Sequence, residues 1–211
     1  MLLPEKKNLI FTNEEDPLPF YYWPVVGYFY KKRLRNTLKL MEDKKYGRVL
    51  EIGFGSGILF PELARHANTI CGIETHPYIK EVAEMAKSYG VKDIDLRSAS
   101  ITKIPYPDNY FDLVLSVSTL EHIDELDDAL REIKRVTKPG GDVISSFPAK
   151  NVAMNILFRL LGFVPSHIHP NSHRDIEQAL MRHFTNETIV RMPTFLPADI
   201  GFYSSILSRK K

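Results

Sequence analysis

Three glycines at alternate positions, Gly53, Gly55 and Gly57, follow the apolar run Val49-Leu50-Glu51-Ile52. A strand that runs into such a turn, and then into a helix, presents bare backbone to a ligand, because glycine allows positive φ and carries no Cβ. Spacing separates the ligands that such turns serve. A dinucleotide fingerprint, G-x-G-x-x-G, needs its third glycine where Ile58 stands, and a Walker loop needs a terminal Gly-Lys-Ser/Thr that is absent. Glu51, ahead of the glycines, would repel a diphosphate but suits a ligand bearing an ammonium and a sulfonium. Glu74 closes the next apolar run, where a carboxylate can accept hydrogen bonds from both hydroxyls of a ribose.

Other reactive side chains carry weaker signals. His122 follows a later strand and is either a proton acceptor at the mouth of a site or a histidine that shapes its loop. His167, His169 and His173 lie close together, but Pro170-Asn171-Ser172 marks a loop and no Cys or carboxylate completes a ligand set, so no metal is expected. His169 is read as a polar edge of an acceptor pocket or as plain solvated loop. The lone cysteine, Cys71, sits in the apolar run Thr69 to Ile73 and reads as a small buried hydrophobe.

Alternating patterns supply the elements that position these groups. Strands are expected at 48–52, 68–74, 94–97, 111–117 and 142–147, with helices at 58–66, 77–88 and from Leu126 to the breaker Lys138-Pro139-Gly140-Gly141. The clearest helix places Leu126, Ala129, Leu130 and Ile133 at i, i+3, i+4 and i+7. An earlier helix, 29–41, sets Leu34, Leu38 and Met41 inward and Lys31, Lys32, Arg33, Arg35 and Lys39 on a wet face. A further helix at 175–183 precedes two β-like runs, 187–192 and 202–208. Strands alternating with helices imply βαβ crossovers and a parallel sheet covered on both faces.

The 211 residues read as a single domain: an arm and helix (1–44), a cofactor-binding core (45–148), and an acceptor-side segment with a closing hairpin (149–211). Lys plus Arg number 28 against 26 for Asp plus Glu, a balance that disfavours a dedicated nucleic-acid binder. The first sixteen residues hold no long apolar stretch, so no signal peptide is apparent and a cytoplasmic location is expected. The greasy segment 152–164 contains Arg159 and is too short to span a bilayer, though it suits peripheral membrane contact.

Taken in order, Glu51 to Gly57, Glu74, Ile104 to Asp112, Leu120-Glu121-His122-Ile123 and Lys138-Pro139-Gly140-Gly141 resemble the motifs of class I S-adenosylmethionine-dependent methyltransferases. The similarity runs from Arg48 to Phe147 and is nearest the small-molecule group that includes the ubiquinone/menaquinone C-methyltransferases. It implies a three-layer αβα Rossmann-like sandwich around a mostly parallel seven-stranded sheet whose last strand is antiparallel. It also implies S-adenosylmethionine as cofactor, with S-adenosylhomocysteine as product. Glu51, Gly53, Gly55, Gly57 and Glu74 would hold that cofactor. Ser100 stands where the family usually has an Asp at the adenine amine; Ile101 would lie against the ring, and Ser116 and Val117 near the methionine portion. Tyr21, Tyr22 and Trp23 either pack the arm onto the domain or close as a lid over the acceptor.

The resulting expectation is methyl transfer to a small, partly apolar acceptor by in-line displacement. Methylation of RNA or protein is the alternative, and a non-catalytic S-adenosylmethionine-binding protein is a third. DNA is not expected as a partner. Ser116-Val117-Ser118-Thr119 replaces the Asn/Asp-Pro-Pro-Tyr/Phe of base-amine methylation, and Cys71 lies in the wrong strand for a cytosine nucleophile.

Overall fold

Side chains on successive residues of a strand point to opposite faces, and this alternation divides the core into two layers. Strands β1 (Tyr46–Ile52), β2 (Ala67–Glu74), β3 (Ile94–Ser98), β4 (Phe111–Val117), β5 (Thr137–Pro148), β6 (Thr185–Met192) and β7 (Tyr203–Arg209) form one sheet in the order β3-β2-β1-β4-β5-β7-β6. Val49, Ile70, Leu113, Ile144 and Leu207 face one side; their neighbours Leu50, Cys71, Val114, Val143 and Ile206 face the other. The computed structural model describes residues 1–12, 18–24, 26–41, 44–149, 170–193 and 201–211.

The first face is covered by α1 (Val26–Lys39), α2 (Phe60–Leu63) and α3 (Ile79–Ser88), through Leu34, Phe60, Leu63, Val82 and Ala86. The second is covered by α4 (Leu126–Val136) and α5 (His173–His183), through Leu130, Ile133, Ile176 and Leu180. Helix α4 carries Asp127 and Asp128 in its first turn and Lys134 and Arg135 in its last, charges that complement the helix dipole at both ends. Helix α5 starts earlier than its apolar spacing suggests, at His173, because Ser172 and Asp175 form a reciprocal capping box.

Strands β1 to β5 are mutually parallel, and β7 inserts antiparallel between β5 and β6. Strand order reverses between β1 and β4, which opens a crevice at the carboxyl edge of the sheet where ligands bind in open α/β folds.

Two expectations need correction. The Lys138-Pro139-Gly140-Gly141 breaker ends α4 but is no separate turn: β5 begins at Thr137 and runs through it, with a register irregularity opposite Phe111 and Leu113. Arg33 does not lie on a wet face of α1. It follows the helix face of half-buried Tyr30 and buried Leu34 and Thr37, and borders the cavity described below.

Leu130 is fully buried between α4 and the sheet. Leu130→Ala should lower stability by about 2–5 kcal/mol, read as a shift of the urea midpoint at unchanged m-value.

Candidate functional site

A cavity of about 300 Å³ opens at the strand-order reversal, walled by the ends of β1, β2 and β4, the glycine turn, and residues of α1 and the N-terminal arm. Glu51, the penultimate residue of β1, is only 3 % exposed and borders it. Its Oε2 is buried and has no hydrogen-bond partner among the described residues. Burial first, and then the neighbouring Glu74 carboxylate, push the Glu51 carboxyl up to about 8. An ionised Glu51 is thus costly until a cation arrives.

Glu74 ends the neighbouring strand β2 and ties the turn in place. Its Oε2 accepts from the Gly55 amide at 3.0 Å, and its Oε1 from the Thr75 amide at 2.7 Å. His76 Nε2 lies 2.9 Å from the Gly55 carbonyl and pins the same residue from the other side. Gly55 has a φ of +49°, and a Cβ added there would meet nothing within 4 Å, so its bare backbone looks onto open space. Gly57 has a different role. It is absent from the wall, and a Cβ there would come within 2.7 Å of Phe60 and Val82, so it serves the packing of α2 and α3.

The structure brings together most of the residues singled out from sequence. Glu51, Gly53, Gly55, Glu74, Ser100, Ile101, Val117, Tyr21 and His122 all border the cavity. Ile101 is buried in its wall, whereas Ser100 is exposed and its Oγ lies 2.8 Å from Thr102 Oγ1. His122 sits exposed at the lip, at the end of the short 3₁₀ turn Leu120–His122.

Ser116 is displaced from its expected place. It is buried away from the cavity wall, where Ser118 and Thr119 stand instead. Tyr22 and Trp23 also lie off the wall. Tyr22 donates to the Pro4 carbonyl at 2.5 Å, and Trp23 packs edge-on against Phe20. His169 and the segment 152–164 lie outside the described residues. Cys71 is buried on the far face, its thiol pushed up to about 11 chiefly by burial. Among the described residues, no three metal-ligating side chains converge.

Sequence reading missed the polar cluster at the β4 end of the cavity. Arg33 Nη1 donates to Ser118 Oγ at 3.1 Å and Nη2 to the Tyr21 hydroxyl at 2.6 Å. Ser118 Oγ also meets the Tyr203 hydroxyl at 3.0 Å. A legible signal existed, because Tyr30, Arg33, Leu34 and Thr37 fall at i, i+3, i+4 and i+7 of one helix face. Nothing local marks Tyr203, which arrives only through strand pairing.

Residues 50–145 match the family of methyltransferase domains. An uncharacterized methyltransferase of Schizosaccharomyces pombe is 36 % identical over 118 residues, which is 51 % of this chain and 42 % of that protein. A ubiquinone biosynthesis O-methyltransferase of Brucella anthropi is 31 % identical over 94 residues, 44 % of this chain and 38 % of that protein. The chain spans about two-fifths of the length of both relatives. Among solved structures, the N-methyltransferase NodS of Bradyrhizobium japonicum, complexed with S-adenosyl-L-homocysteine, superposes with a TM-score of 0.71. It shares 19 % identity over 95 % of this chain and 94 % of its own, and so shares the fold. Residues 50–145 thus carry a methyltransferase domain, in a chain whose fold is shared with a methyltransferase solved with S-adenosyl-L-homocysteine.

The buried Glu51 has a consequence for stability. Because folding raises its pKa from 4.5 to about 8, its neutral form contributes stability that is complete below about pH 4.5 and lost as pH rises through about 8. Glu51→Gln should therefore flatten the fall in melting temperature of ligand-free protein across that window. Identical slopes for variant and parent would show that Glu51 is solvated.

Proposed function

We propose that the chain transfers the methyl group of S-adenosylmethionine to a small, partly apolar acceptor. The observation that carries this reading is the Glu51 carboxyl, one buried oxygen of which has no partner among the described residues, beside the open backbone of Gly55. That pair fits a positively charged nucleoside and would be wasted on a diphosphate. The cavity volume, about 300 Å³, suits a small ligand, at the low end of the usual ~300–1,000 Å³. When bound, the cofactor supplies a sulfonium-activated methyl for in-line displacement.

The chain's own groups then have separable tasks. Glu51 faces the cationic amino acid end, where ligand charge favours its ionised form. Gly53 and Gly55 let the backbone approach. Glu74 has acceptor capacity beyond its bonds to Gly55 and Thr75, since a carboxylate takes about four hydrogen bonds. That capacity serves the ribose hydroxyls. Ile101 offers an apolar wall to the adenine and Val117 flanks the methionine portion. Ser100 contributes at most a hydroxyl already shared with Thr102.

Alignment of donor and acceptor in such a crevice can supply about 7–11 kcal/mol, so a general base is not obligatory. His122, exposed at the lip, is placed to take a proton where the acceptor must lose one. Tyr21 closes the arm side of the cavity. The whole chain acts as one domain. No helix among the described residues is long and apolar enough to cross a membrane, and we assign the activity to the cytoplasm.

Titration calorimetry with S-adenosylhomocysteine tests the reading. Wild-type protein should bind it, and Gly55→Arg, which fills the open face of the turn, should abolish binding without unfolding the domain. With S-adenosylmethionine near pH 7, binding should release protons from Glu51, visible as a heat that varies with the buffer's ionisation enthalpy and vanishes in Glu51→Gln. Failure of wild-type protein to bind either donor or product would sink the proposal.

A further inference from the structure

The cavity is electrostatically two-ended. Its β1–β2 end carries Glu51 and Glu74, while its β4 end carries Arg33. Tyrosine rings surround that guanidinium: its central carbon lies 4.4 Å from the ring centre of Tyr30, 5.3 Å from Tyr203 and 5.4 Å from Tyr21. Burial alone would lower the pKa of Arg33, but the tyrosine hydroxyls around it outweigh that effect and raise it, so the group stays charged.

A guanidinium has five N–H donors. Here the described bonds use one on Nη1 and one on Nη2, while Nε is buried with no acceptor among the described residues. Arg33 forms no ion pair with any carboxylate among the described residues. Among the described residues, Glu121 feels its field, and burial pushes that carboxyl up to about 7, against the opposing pull of Arg33. A half-buried cation with an unsatisfied, buried donor is costly unless something pairs with it.

A purely structural role would explain the bonds to Tyr21 and Ser118, which tie the arm and α1 to the end of β4. It leaves the idle Nε–H and the missing counter-charge without a purpose. Ser118 adds a second sign. It holds a left-handed φ of +56° without being glycine, and in that conformation its hydroxyl links Arg33 to Tyr203 beside the cavity. Strain of this kind concentrates where a ligand must be met.

We propose that Arg33 is the anchor for an oxyanion on the methyl acceptor, making the acceptor class an organic acid, carboxylate or phosphate, with an apolar body. The acid group pairs with Arg33, and Leu34 and Ile123 offer apolar wall nearby. Positive donor and negative acceptor thereby enter opposite ends of one crevice, each drawn to its own counter-charge. This assignment rests on the methyl-transfer reading for the other occupant of the crevice.

The test is a ligand-observed NMR titration of the full chain with three probes of like shape: benzoate, phenyl phosphate and benzamide. It is run with and without S-adenosylhomocysteine. At least one anion should bind more tightly than neutral benzamide by about tenfold, the scale of one charge-assisted hydrogen bond. Preference for benzoate assigns a carboxylate acceptor; preference for phenyl phosphate assigns a phosphate. Arg33→Met should erase the preference while leaving affinity for S-adenosylhomocysteine within about twofold, and Arg33→Lys, which keeps charge but not the planar fork, should retain part of it. Equal binding of benzamide and both anions by wild-type protein overturns the proposal, as does a preference that survives Arg33→Met. Loss of S-adenosylhomocysteine binding by wild-type protein would instead strike the methyl-transfer reading, since the anion preference is measured without it as well.

Discussion

A carboxyl group kept away from water at the end of the central strand sets the terms for the rest of this fold. Glu51 sits among apolar neighbours with one oxygen unsatisfied among the described residues, and Glu74 on the neighbouring strand makes its ionisation harder still. Such an arrangement survives only if the surroundings hold it rigidly. They do so through the pairing of β1 with β2 and β4 on either side, and through the glycine turn that Glu74 and His76 grip at Gly55. The sheet order then matters chemically as well as topologically, because the reversal beside β1 leaves that carboxyl facing open space.

The opposite end of the crevice is organised by a different logic. Helix α1 lies on the first face of the sheet, and its inward stripe carries Arg33 one position ahead of the fully buried Leu34. One turn further on, the Thr37 hydroxyl meets Ser146 and Ser205, so polar groups continue under the helix on neighbouring strands. The same helix therefore both covers the core and delivers a cation to the ligand space. Its attachment to β4 and β7 through Ser118 and Tyr203 couples the arm to the far half of the sheet.

Much of this was legible in the sequence because local periodicity and local chemistry agreed. The strands from β1 to β4, the apolar face of α4 and the glycine turn with its flanking acids all announce themselves within short windows. Element ends were less legible where a tertiary partner decides them: Lys138 to Gly141 contains two strong breakers, yet pairing with β4 draws the segment into β5. The same limit hid half of the site. Arg33 looked solvated because its neighbours in sequence are basic, and Ser116 looked functional because it ends a strand one position before the residues that turn toward the cavity. Alternation decides such cases, and a single-residue offset moves a side chain to the other face.

Strand β7 lies between β5 and β6, although it follows both in sequence. During synthesis, β6 therefore emerges before the only strand it pairs with. It waits as an unpaired edge until 203–209 leave the ribosome and slot into the gap, and only then does Tyr203 reach Ser118 and Arg33. The contacts of Tyr203 with Ser118 and Arg33 are consequently the last of this cluster to form, whereas Glu51, Gly55 and Glu74 are set by strands that emerge earlier. A C-terminally trimmed chain would keep Glu51 and Glu74 on their strands while Arg33 and Ser118 lacked the ring and hydroxyl of Tyr203.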